Sequence, residues 1–195
     1  MMPTDIHERL NSIQRYALLL ARAKDREPIR GKLWFQKEMF LLSKGSPVLE
    51  GELEYEPSLM GAMSDALELN LDQLESIGLL DKSGSAFVLT DPGDQCVLKV
   101  IPELTTSELN RIEEVKGLLN DLSKDELLAF LYFIYPEMTE ESEELAGLEP
   151  ERRGLAVRLF KKGKVGLEKG AVVAGLSVQE FASLLRRRGV HRYSE

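Results

Sequence analysis

Apolar residues recur at spacings of three and four over most of this chain, and strict alternation is confined to short stretches. Ile6, Leu10, Ile13, Ala17 and Leu20 form one stripe, which predicts a helix over Asp5 to Lys24. Glu27-Pro28 and Gly31 interrupt the pattern. A second helix is predicted over Lys32 to Ser43, where Leu33, Trp34, Phe35, Met39, Phe40, Leu41 and Leu42 are too apolar for a free surface helix. Lys44-Gly45 closes it, with Gly45 expected as a left-handed cap. Leu49 to Tyr55 alternates bulk with charge and reads as a short strand or an extended acidic loop. A third helix is expected after Pro57-Ser58, running to Ile77 on Leu67, Leu71 and Leu74. Leu79-Leu80 and Ala86 to Leu89 flank a polar, glycine-containing stretch and predict a hairpin.

Three helices followed by a hairpin is the order of a winged-helix domain. The turn Thr90-Asp91-Pro92-Gly93 then leads into further helices. Ser123 and Glu126 form a capping box before the apolar run Leu127 to Tyr135, which Pro136 stops. Glu137 to Glu149 is acidic with little bulk and reads as a linker or a loosely packed helix. The domain boundary is expected near Gly147 to Glu151, giving residues 1–147 and 148–195. The expected fold class is mainly α: a winged-helix-like N-terminal domain with a small β-hairpin, a helical bundle extension, and a C-terminal helix-turn-helix.

Charge changes the picture. The chain has 195 residues and a formal net charge of −8, but the sum hides three blocks. Residues 1–44 carry a net +4, residues 45–150 a net −19, and residues 151–195 a net +7. A polyanion would be repelled by the middle block and attracted to the last.

The last block holds the informative pattern. Leu155, Ala156, Leu159 and Phe160 line a short helix ending near Gly163. Leu167 to Arg186 then fits the helix-turn-helix template, with Ala171 where two helices cross and Gly175 in the turn. Leu176, Phe181 and Leu184 supply its buried positions, and Ser177 with Glu180 caps the second helix. Gly170 is a poor helix former within the first helix. The outer face of the second helix would present Val178, Gln179, Ala182, Ser183 and Arg186 to a major groove. Gln179 suits an adenine, and Arg186 a guanine or a phosphate. Lys162, Lys164, Lys169, Arg187 and Arg188 would be phosphate contacts. The plainer alternative is a helical hairpin whose arginines complement a helix C-terminus.

Arg158 to Val190 resembles a family of small, mostly uncharacterised prokaryotic proteins described as antitoxin-like helix-turn-helix proteins, with a core "LY-x-x-GK-x-S-L-x-x-AA-x-x-AG-M-S". Leu159, Gly163-Lys164, Leu167, Ala171, Ala174-Gly175 and Ser177 match it, and Phe160 stands for its Tyr. Gly166 and Gly170 replace its Ser and Ala. More loosely, the N-terminal part resembles winged-helix-like domains of the Panacea type. That likeness rests on Leu33 to Leu42, on Tyr55 to Ser58 and on Leu74 to Leu80. The resemblances imply regulation or toxin–antitoxin biology.

The expected recognition helix of the first domain, Gly61 to Ile77, carries Asp65, Glu68, Asp72 and Glu75 and no basic residue. Four carboxylates oppose a phosphate backbone. That domain is therefore assigned to self-association or to a partner with a basic face, the plainer alternative being an acidic, solvated surface that keeps the protein in solution. A C-terminal module this short needs support from other parts of the chain or from a second copy. A homodimer would also match a palindromic operator.

Other chemistry has little footing. A single cysteine, Cys96, excludes an internal disulfide, and it precedes an apolar pair as a buried inert thiol would. His7 and His191 lie in no triad signature, and Gly163-Lys164 lacks the spacing of a phosphate-binding loop. Phe35, Phe40, Phe130 and Tyr132 read as core more readily than as a ligand pocket. No enzyme activity and no cofactor is expected. No secretory signal is visible, and the longest apolar run is nine residues, well short of the roughly 20 that span a bilayer. The expectation is a cytoplasmic DNA-binding transcriptional regulator, a homodimer on double-stranded DNA with no membrane contact. The alternative is an antitoxin-like or adaptor protein that binds another protein, such as a toxin, through its acidic domain.

Overall fold

Asn11 divides the first expected helix in two. Its side chain accepts from Gln14 N (2.9 Å) while Gln14 Oε1 accepts from Asn11 N (3.2 Å), so a new helix starts there. In the computed structural model, which describes residues 6–139 and 142–190, α1 is Ile6–Arg9 and α2 is Ser12–Arg26. The end of α2 runs into three left-handed residues, Lys24, Asp25 and Arg26, with φ of 53°, 54° and 61°. The buried Lys116 Nζ donates there to Ala21 O (3.0 Å) and Ala23 O (2.9 Å).

The protein is mainly helical, with one two-stranded antiparallel hairpin among the described residues. The chain divides into two compact units, Met1–Glu56 with Met63–Asp121, and Pro57–Ala62 with Leu122–Glu195. In the first, α3 (Lys32–Ser43) is followed by α4 (Pro47–Leu53), α5 (Asp65–Ser76), β1 (Leu80–Ser83), β2 (Ala86–Leu89), α6 (Asp91–Val100) and α7 (Thr106–Leu119).

Residues 49–53 form neither strand nor loop but lie in α4, and Glu54 and Tyr55 follow its end. Ser46 accepts from Leu49 N, Pro47 opens the helix, and Leu49 and Leu53, one turn apart, are both fully buried. Alternation over five residues also contains the i, i+4 pair of a helix, and here burial selects the helix. The third long helix starts later than expected, because Ser64 is pinned as its cap. Gln36 Nε2 donates to Ser64 O (2.9 Å), Gln36 Oε1 accepts from Ser64 N (3.0 Å), and Ser64 Oγ accepts from Leu67 N (3.2 Å). Thr90 to Gly93 is the capped first turn of α6.

The hairpin pairs Leu80 with Leu89 and Ser83 with Ala86, turning at the left-handed Gly84. Ile29 extends it by bonding Phe87 in both directions (3.0 and 2.8 Å), and Phe87 meets Phe35 edge-on. Phe35, Phe40 and Cys96 are buried in this core. Gly45 is not the expected left-handed cap: it lies outside the positive-φ glycines, and the guanidinium of Arg111 occupies the space of its absent side chain.

The second unit centres on α8 (Lys124–Ile134), in which Leu127 to Tyr132 are all buried. The capping box of Ser123 and Glu126 opens it as expected. A 3-10 turn over Pro136–Thr139 leads to α9 (Glu144–Leu148), α10 (Arg152–Lys161), α11 (Leu167–Ala174) and α12 (Val178–Arg187). Both α10 and α11 pack on α8. The units therefore divide at Asp121 and Leu122, ahead of the 147/148 boundary expected from composition. The reason is the apolar run of α8, which is covered by the basic helices that composition sets apart from it. No helix among the described residues is long and apolar enough to cross a membrane.

Candidate nucleic-acid interface

Local chemistry builds a tight helical pair at the end of the second unit. Gly163 (φ 70°) ends α10, and Gly175 (φ 64°) ends α11, each in a left-handed conformation that a side chain would strain. Gly175 N donates to Val172 O (3.1 Å) and Leu176 N to Ala171 O (3.0 Å), which closes α11. Ser177 then starts α12: its Oγ accepts from Glu180 N (3.2 Å), and Glu180 Oε2 accepts from Ser177 N (2.8 Å). Ser177 Oγ also donates to Glu180 Oε2 (2.7 Å), and this bond with the one from Ser177 N holds the Glu180 carboxyl below its ordinary range.

Two contacts fix the angle of the pair. Phe181, fully buried, packs where Gly170 has no side chain and meets Phe160 of α10 edge-on with ring centroids 5.9 Å apart. Arg152 binds the end of α11: Nε donates to Val173 O (2.6 Å) and Nη2 to Val172 O (3.0 Å), while its guanidinium lies 4.0 Å from the ring centroid of Phe133. The buried positions of α12 are Phe181 and Leu185, one turn apart. Leu184 and Leu176, expected as buried, are half-buried.

This anchoring leaves the opposite face of α12 open. Gln179 and Arg186 are exposed there and Ser183 is half-buried between them, while Val178, two turns before Leu185, is 41% exposed at the start of the helix. Ser183 Oγ donates to Gln179 O (2.9 Å) and accepts from Arg186 Nη2 (3.1 Å), which links the three along one line. Arg187 and Arg188 are exposed at the end of the helix, and Lys169 is exposed on α11. Lys164 is half-buried in the connection between α10 and α11. Lys162 is engaged elsewhere: its Nζ donates to Glu126 Oε2 (2.7 Å), with Arg158 Nε 3.7 Å from Glu126 Oε1. His191 lies outside the described residues.

Arg153 was missed. It comes from α10 but lines the same groove as Gln179, Ser183 and Arg186, and its charge helps keep Glu180 ionised. Periodicity gives no sign of this, because the two helices meet only in the folded unit.

In the first unit, the carboxylates of α5 are partly committed. Lys32 Nζ lies 2.6 Å from Glu68 Oε2, and Lys82 Nζ lies 2.7 Å from Glu75 Oε2 and 3.8 Å from Asp72 Oδ1.

Residues 137–195 match the family model of UPF0175, an uncharacterised protein family. The match takes in α9 to α12 and includes the Arg158 to Val190 segment that carries the sequence resemblance. It supports the likeness of this segment to an uncharacterised family and covers under a third of the chain. No curated protein matches the chain.

Proposed function

We propose that α11, the turn at Gly175 and α12 form a helix-turn-helix that binds double-stranded DNA, and that the protein is a prokaryotic-type transcriptional regulator. The observation that carries this reading is the split of α12, with Phe181 and Leu185 buried and, on the other side, Gln179 and Arg186 exposed around a half-buried Ser183. A helix held this way enters a major groove with its polar face forward. Gln179 would read an adenine edge and Arg186 a guanine or a phosphate. Arg187, Arg188, Lys169, Lys164 and Arg153 would hold phosphates and set the register. Lys162 contributes only if it leaves Glu126.

The finer resemblances fit this reading. The C-terminal segment resembles antitoxin-like helix-turn-helix proteins, and α3, α5 and the hairpin follow a winged-helix order. Helix α5 would not itself read DNA, since it carries four carboxylates and no basic residue, and Lys32 and Lys82 beside it are used on those carboxylates. A two-fold dimer would place two copies of α12 on successive turns of a palindromic site.

The test is fluorescence anisotropy of the full chain on mixed genomic duplexes across a salt series, against the variant Arg186→Glu/Arg187→Glu/Arg188→Glu. The full chain is required, because ending it at 147 would remove the helices that cover α8. Binding should weaken steeply with salt, and the charge-reversed protein should lose it. Absence of binding at low salt, or equal binding by the variant, would overturn the reading. The net −19 of residues 45–150 would then favour a protein partner with a basic face.

A further inference from the structure

Within the first unit, α2, α7, the end of α6 with the turn after it, and the turn between α3 and α4 line an open-mouthed cavity of about 400 Å³. That volume falls within the range of small-molecule sites. Leu19, Leu42, Val100 and Ile112 are buried in its wall, and Val48 stands 57% exposed at the rim.

Its polar groups are nearly all committed to one another. Arg15 Nη1 donates to Glu103 Oε2 (2.6 Å), Nε to Leu10 O (3.1 Å) and Nη2 to His7 O (3.3 Å). Glu108 accepts from Thr105 N (2.8 Å), Thr105 Oγ1 (2.7 Å) and Tyr16 Oη (3.0 Å).

Arg111 is the exception. Its Nη2 donates to Leu41 O (2.9 Å), but its Nε is buried with no acceptor, and among the described residues no carboxylate forms an ion pair with it. A guanidinium carries five donors and stays charged, so one carbonyl leaves most of its capacity unused in a partly desolvated place. The site is also shaped around it. A Cβ on Gly45 would fall 2.3 Å from Arg111 Cζ, so the glycine is what lets the guanidinium lie against the backbone.

We propose that this cavity binds a small organic acid with an apolar body, its carboxylate on Arg111 and its hydrocarbon part against Leu19, Leu42 and Ile112. Apolar walls around one under-bonded cation select that chemistry over a neutral or cationic ligand of equal size. Glu103 and Glu108, the carboxylates in the lining, already hold Arg15, Thr105 and Tyr16.

The experiment is isothermal titration of the full chain with octanoate, octanol and octylammonium. Octanoate should bind saturably with a Kd below about 1 mM and at least about tenfold more tightly than the other two. Arg111→Gln should weaken octanoate about tenfold or more, bringing it to the level of octanol. Val48→Trp at the rim should block the cavity and abolish octanoate binding with Arg111 intact, which guards against a folding defect in the first variant. The proposal is overturned if octanoate does not bind saturably, if octanol or octylammonium binds as tightly, or if octanoate binding survives both substitutions.

Discussion

The ring of Phe181 occupies the space that a side chain at residue 170 would need: a Cβ on Gly170 would fall 2.4 Å from Phe181 Cε1 and 2.9 Å from Cζ. The glycine that looks out of place within α11 is thus the condition for the close crossing of α11 and α12.

Helix propensity alone says that Gly170→Ala should stabilise by about 1 kcal/mol. The crossing says the opposite, because the fully buried ring would have to shift to admit a methyl group. Gly170→Ala should cost about 1–3 kcal/mol in urea unfolding. Adding Phe181→Leu should recover part of that loss, giving a favourable coupling in a double-mutant cycle. A stabilised Gly170→Ala protein would show that the crossing is looser than this.

Arg152 belongs to the basic block by composition, yet its donors close the end of α11 and its plane covers Phe133. Arg152→Met should destabilise the protein by about 1–3 kcal/mol, since two carbonyls lose their donor. In whatever fraction stays folded, the salt slope of DNA binding should be unchanged. The Arg186→Glu/Arg187→Glu/Arg188→Glu variant should do the reverse, keeping stability and losing DNA binding.

Glu126 has a side chain only 4% exposed and accepts from Lys162 Nζ and Ser123 N. Burial pushes its carboxyl upward, but the Lys162 and Ser123 bonds outweigh that and hold it below its ordinary value. A carboxyl depressed on folding adds stability above its unfolded pKa of about 4.3, and that share is lost as pH falls through the folded value. Glu126→Gln should therefore cost about 1.5–3 kcal/mol at pH 7, with the gap to the parent closing in acid. A gap independent of pH would remove the ion pair from the account.

Lys116 is fully buried in the first unit, and its ammonium covers Ala21 O and Ala23 O where α2 turns left-handed. Lys116→Met should cost about 1–3 kcal/mol for each carbonyl left without a donor. Burial lowers the lysine to about 8, with the charges of Glu38, Glu27 and Glu113 opposing that shift. The unfolded chain then binds more protons between about pH 8 and 10.4, so the parent gains stability relative to the variant as pH rises through that window. Chemical denaturation at pH 7, 8.5 and 10 measures the difference, and a constant one would contradict the assignment.

The signals legible in the chain are those that act within one helical turn. Ser123 with Glu126 and Ser177 with Glu180 form their capping boxes, Gly175 is left-handed, and the hairpin turns at Gly84. Each needs only neighbours three or four residues away, so the order of residues carries the whole interaction. The reading of residues 49–55 failed at the same scale. Five residues hold both periods, and only the burial of Leu49 and Leu53 chooses between them.

By itself, then, the sequence determined the helical class, the hairpin, the capping boxes at Ser123 and Ser177, and the basic, apolar-striped end of the chain. Tertiary structure alone decided why residue 170 is glycine, that Lys162 is spent on Glu126, that Arg153 joins the face of α12, and that α8 packs with α10 and α11. It also placed Arg111 against Gly45 in the wall of a cavity. The partners in these contacts lie from 11 to more than 60 residues apart along the chain. Periodicity states that a face is buried, and only packing states which atoms bury it.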